Sequence, residues 1–132
     1  MADVVQLFIR PEPWNPGVAT EEIRRLARSD KMRLARSPHA CEQMSDRGIF
    51  MGDLLQVLKN GFVKSAAIRD GGFFRYAIDG STTNSKRMIR VVAIPKVQRF
   101  LLIVVTVMWV DARPIRYDLR IAATRSDGAS NG

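Results

Sequence analysis

The feature that most constrains this chain is a change of period at Asn60-Gly61. Before that dipeptide apolar residues recur three and four apart, as helices require; after it they alternate, as strands require. Three helices are expected in the first half. Thr20 is placed to cap the first, with Glu21 and Glu22 in its opening turn and Ile23, Leu26 and Ala27 on its buried stripe. Ser37-Pro38 opens the second: serine caps, and proline fits the first helical position, where its missing N–H costs nothing. Gly48 ends that helix in a left-handed residue. Leu54, Leu55 and Leu58 mark the third, which Asn60-Gly61 closes. Residues 32–35 read as a short extended connection.

The second half reads as two hairpins. Residues 62–69 and 73–79 flank Asp70-Gly71-Gly72, a strong turn signal. Residues 87–94 and 100–109 flank a turn at Pro95-Lys96-Val97-Gln98, and the last strand is apolar on both alternations, so it belongs in the middle. Helices followed by an antiparallel meander predict an α+β fold with N-terminal helices on one face of a four-stranded antiparallel sheet. Residues 1–125 are expected to form a single domain. Within it, residues 4–9 are a possible strand, Pro11, Pro13 and Pro16 forbid regular structure, and Trp14 packs back on the core. Residues 115–121 are amphipathic, and residues 126–132 are expected to be a disordered tail.

The charge is uneven. Residues 1–66 carry ten Lys/Arg against eight Asp/Glu, a net of +2, whereas residues 67–132 carry eleven against five, a net of +6. Sixteen of the cations are arginine, whose planar donor fork suits phosphate, so a polyanionic partner is expected. One cysteine allows no internal disulfide, and one histidine with one cysteine cannot assemble a structural zinc site. No metal or cofactor is expected. The longest apolar run, residues 100–110, is too short to cross a membrane, so a cytoplasmic location with no membrane partner is expected.

The second helix places His39, Gln43 and Arg47 on one face, four residues apart. Histidine is the side chain whose unperturbed titration lies near neutral pH, and His39 is the only one here. Lys64, Arg69, Arg75, Lys86, Arg87, Arg90 and Arg99 make the downstream half basic, with Phe73, Phe74 and Tyr76 interleaved. Cations for phosphate and rings for bases are what single-stranded RNA binding uses.

The run His39-Ala40-Cys41-Glu42-Gln43-Met44-Ser45-Asp46-Arg47-Gly48-Ile49, followed by a short helix ending in Asn60-Gly61 and later by Thr106-Val107-Met108-Trp109, resembles the DUF4258 family of small bacterial domains over about residues 33–111. The family usually has arginine where this chain has Gln43. The family's grouping with RelE- and barnase-like ribonuclease toxins implies a metal-independent endoribonuclease working by 2′-hydroxyl attack. On that implication His39 is the acid or base, and Arg47 and Arg75 stabilise the phosphorane. Gln43, Lys64, Arg69, Lys86, Arg87 and Arg90 would then hold RNA, and an acidic antitoxin would cover the basic sheet. The alternative expectation is a non-catalytic nucleic-acid- or protein-binding module of a phage or mobile element.

Overall fold

A computed structural model describes residues 10–82 and 87–110. The expected strand at residues 4–9, the amphipathic stretch at 115–121, the tail at 126–132 and Lys86 lie outside the described residues. The element order is α1 (Pro16–Ala27), β1 (Arg33–Arg36), α2 (Pro38–Arg47), α3 (Met51–Asn60), β2 (Phe62–Val63), β3 (Ile68–Asp70), β4 (Phe73–Ser81), β5 (Met88–Lys96), a 3-10 turn (Val97–Arg99) and β6 (Leu101–Val110).

The class is α+β as expected, but the sheet is mixed and larger than four strands. Its order is β1-β6-β5-β4-β2, with β3 also paired to β4. β1 pairs in parallel with the start of β6, Arg33 opposite Leu101 through Arg36 opposite Val104. The segment expected at 62–69 is two short strands on the same edge of β4, interrupted at residues 64–67. The two expected hairpins hold: β3 pairs antiparallel with β4 across Asp70-Gly71-Gly72, and β5 with β6, while β4 pairs antiparallel with β5 between them. The turn between the last two is displaced to the 3-10 turn and Phe100, which takes the left-handed conformation at φ 52°.

Helix α1 starts five residues earlier than the sequence suggested. Asn15 accepts from the Val18 N–H and Pro16 occupies the first helical position, a stronger start signal than Thr20. Thr20 instead donates to Pro16 O and accepts from the Val63 N–H, tying α1 to β2. Glu22 thereby falls mid-helix, buried at 2% exposure and paired with Arg10 and Arg25. Helix α3 opens with the Asp53 carboxylate accepting from the Phe50 N–H, which offsets Gly52 in its first turn.

One face of the sheet carries the core. Tyr76, Ile78, Ile89, Val91, Ala93, Leu102, Val104 and Val107 meet Ile23, Leu26, Leu54, Val57 and Leu58 from α1 and α3. Trp14 joins them as expected, 4% exposed and stacked on Tyr76 at 5.3 Å between ring centroids. α3 lies against the end of β4 so closely that Gly61 is required there. A Cβ at that position would stand 2.6 Å from both Asp79 O and Val57 O.

Candidate functional site

Helix α2 forms where the sequence places it. Ser37 Oγ accepts from the Ala40 N–H at 3.0 Å, Pro38 follows, and Gly48 ends the helix at φ 66°. Ala40 and Met44 are buried, which turns His39, Gln43 and Arg47 away from the core.

What that polar stripe meets is the open edge of β6. β1 covers β6 only as far as Val104; the chain then passes through Ser37 into α2 and continues along the same edge. Ser37 donates its N–H to Val104 O at 2.9 Å and its hydroxyl to Val105 O at 3.2 Å. Gln43 Oε1 accepts from the Val107 N–H at 2.8 Å, and Arg47 Nη1 donates to Val107 O at 2.8 Å. Trp109 Nε1 returns a bond to Arg47 O at 2.9 Å.

The lengths agree. Ten residues of helix from Ser37 to Arg47 rise about 15 Å, and four strand steps from Val105 to Trp109 span about 13 Å. Side chains of α2 thus stand in for a neighbouring strand, satisfying both backbone groups of a residue that is 0% exposed.

This placement decides what the expected catalytic residues can do. His39 is exposed and has no hydrogen-bond or ion-pair partner among the described residues. Arg47 lies two helical turns away, about 12 Å of rise, with its guanidinium on Val107 O. Arg75 is on β4, separated from β6 by β5, so about two strand spacings of 4.8 Å intervene before α2 is reached. Its guanidinium grips Asp70 Oδ2 at 2.6 and 2.8 Å. The helix and the sheet therefore do not bring the three together.

The expected RNA-binding residues also separate. Gln43 is on the β6 edge, and Lys64 is exposed after β2. Arg69 lies over the Phe74 ring at 5.2 Å and Arg87 over Trp109 at 3.9 Å. Arg90 holds Asp79 through two bonds of 2.8 and 3.0 Å, and that contact raises the arginine's pKa further. Among the described residues no group of three or more His, Cys, Asp or Glu side chains could hold a metal, and no helix is long and apolar enough to cross a membrane.

Sequence reasoning missed two features. One is a basic corner where β1, β5 and β6 meet. Arg33, opposite Leu101, donates to Arg99 O at 3.2 Å; Lys96 faces Leu101 from the other side; Lys31 lies over the Phe100 ring. None of these four cations makes an ion pair within 4 Å among the described residues, though Lys96 acts on the Glu12 charge. The other is a junction around Tyr76, whose hydroxyl accepts from the Trp14 N–H and donates to Glu12 Oε2, both at 3.0 Å. Burial raises the Glu12 pKa, against the lowering effects of the Tyr76 bond and Lys96, and burial likewise raises that of Tyr76. Proline spacing marked the arm as irregular but carried no sign of where it docks.

Fold and surface define a small basic α+β protein whose mixed sheet is closed along one edge by a helix. Residues 37–109 match the family described as a domain of unknown function, DUF4258; this is more than half of the chain, which belongs to that family. No curated protein and no solved structure matches the chain significantly. The matched stretch begins at Ser37 and ends at Trp109, the two ends of the contact between α2 and β6.

Proposed function

We propose that this chain is a single-stranded RNA-binding module that holds its ligand without cutting it. The observation that carries the reading is the basic corner: among the described residues Lys31, Arg33 and Arg99 have no ion-pair partner and Lys96 beside them acts only on Glu12, whereas Arg75 and Arg90 are spent on Asp70 and Asp79. Lys31, Arg33 and Arg99 are exposed and Lys96 is half-buried; such cations supply affinity through counterion release, and the exposed Phe73 ring beside them supplies stacking. Phe73, 47% exposed, adjoins the corner with Lys96 Nζ 3.3 Å from its ring centroid.

The test is fluorescence anisotropy of a labelled 12-mer single-stranded RNA against salt. Replacing Arg33 and Arg99 by alanine should weaken binding and flatten the log–log salt slope by about 1.4, two phosphate contacts at about 0.7 each. His39→Ala should change nothing, and the RNA should be recovered intact. An unchanged slope in the double variant would remove the basis of the reading.

The ribonuclease reading keeps one observation in its favour, the exposed His39, which has no partner among the described residues. It requires Arg47 or another cation to leave its present partner when substrate arrives. RNA cleavage by the wild-type chain that disappears in His39→Ala would restore it. An acidic protein partner would compete for the same corner, and RNA displacement by such a protein is how it would be recognised.

A further inference from the structure

The N-terminal arm, the β3–β4 turn and the end of β5 line a half-open cavity of about 370 Å³, bordered by Arg10, Glu12, Trp14, Phe73, Lys96 and Arg99 among others. We propose that this cavity receives one nucleotide of the bound strand, and that Glu12 selects a base bearing an exocyclic amino group. The proposal rests on the RNA-binding reading and adds to it a place and a preference.

The volume falls in the ordinary range for small-ligand sites, about 300–1,000 Å³. Its polar groups are already divided by task. Arg10 is held by Glu21 at 3.0 Å and Glu22 at 3.4 Å, so it fixes the arm and its charge is offset. Trp14 is stacked on Tyr76 and forms the floor. Phe73 is exposed and offers a ring for stacking. Arg99 has no ion-pair partner among the described residues, and Lys96 forms no ion pair within 4 Å although its charge acts on Glu12; both stand on the basic corner, where the phosphates of a strand would run.

Glu12 is the remaining charged group, and its geometry is the informative one. Tyr76 donates to Oε2 and so fixes the carboxylate, while Oε1 has no partner among the described residues. An ionised carboxylate only accepts. It therefore favours cytosine, whose exocyclic N4 donates two N–H groups, over uracil, whose O4 at that position repels the carboxylate and leaves only the ring N3–H as donor. Partial burial sharpens this choice, because an acceptor facing an acceptor has little water to relieve it.

Cytidine and uridine 5′-monophosphate differ at this edge alone and make the probe pair. Labelling the full chain with 5-fluorotryptophan gives two fluorine resonances, Trp14 and Trp109, assigned with Trp109→Phe. Cytidine monophosphate should move the Trp14 resonance and leave Trp109 in place, with uridine monophosphate binding at least fivefold more weakly. Glu12→Gln should bring the two affinities within twofold, and Lys96→Ala should weaken both nucleotides while leaving free cytidine unaffected. Equal binding of the two nucleotides by the wild-type chain, or a motionless Trp14 resonance, overturns the proposal. If the 12-mer RNA still binds with its salt slope intact under that result, only the pocket is wrong. If wild-type protein binds no RNA at low salt, the parent reading has failed, and nucleotide binding alone then decides the pocket.

Discussion

Removing the Gln43 acceptor should open the Val107 amide to exchange. Gln43 Oε1 accepts the Val107 N–H at 2.8 Å, and Val107 is 0% exposed, so water cannot replace the lost partner without the edge parting. An unsatisfied buried donor costs about 1–3 kcal/mol; the full burial argues for about 2 kcal/mol. Alanine's better helix propensity returns only a few tenths. For a chain of this length the melting temperature should fall by roughly 6–10 °C, and the equilibrium protecting the amide by about 30-fold. The assay is hydrogen exchange by NMR, comparing Gln43→Ala, Gln43→Glu and Gln43→Arg with wild type. Glutamate keeps an acceptor and should retain most of the protection; arginine has donors only and should behave like alanine. Val107 protection that survives in Gln43→Ala, while the rest of the spectrum is native, would refute the idea that α2 stands in for a strand.

Arg90→Ala should lower stability by about 2–4 kcal/mol, because Asp79, 7% exposed, loses both bonds to its only ion-pair partner among the described residues; urea unfolding measures this, and RNA affinity should stay within twofold. Gly61→Ala should cost about 3 kcal/mol, since the new Cβ meets two backbone oxygens at 2.6 Å that cannot move independently; a urea midpoint equal to wild type would contradict the contact. Glu12 gives a pH dependence: its folded pKa is raised, so the native state holds the proton more tightly than the unfolded chain. That contribution is complete below the ordinary carboxyl value of 4.5 and is lost as pH rises through the folded value. Glu12→Gln should remove this decline from the melting-temperature profile across the weakly acidic range.

The parts of the fold that local chemistry writes were legible. Ser37-Pro38 and Gly48 bracket α2, Asp70-Gly71 turns β3 into β4, and the loss of helical spacing after Gly61 marks the start of the sheet. β1 was not, because Arg33-Leu34-Ala35-Arg36 has no alternation and is exposed at three of four positions. It is a strand only because β6 offers it an edge about seventy residues later. The same limit governs the candidate site. Asp70 belongs to the turn signal and Asp79 ends the expected strand, yet they neutralise Arg75 and Arg90, a pairing set by which strands adjoin. The His39, Gln43 and Arg47 stripe was read correctly as one helix face. A polar face looks the same in sequence whether it meets solvent, a phosphate or the backbone of a strand.

Gln43 shows how much turns on that distinction. If the stripe faced a phosphate, replacing the family's usual arginine by glutamine would remove a charge and weaken the site. Against the β6 edge the exchange has another meaning: glutamine accepts from an N–H, whereas arginine can only donate, to a carbonyl such as Val105 O, which here already takes the Ser37 hydroxyl. Position 43 then sets which backbone group of β6 is satisfied, and Arg47, bound to the carbonyl of the same residue, supplies the donor in this chain. A charge at position 43 therefore belongs to edge closure. On the proposed reading, bound RNA is to be sought at the opposite end of β6, where β1 begins and four cations stand without an ion pair among the described residues.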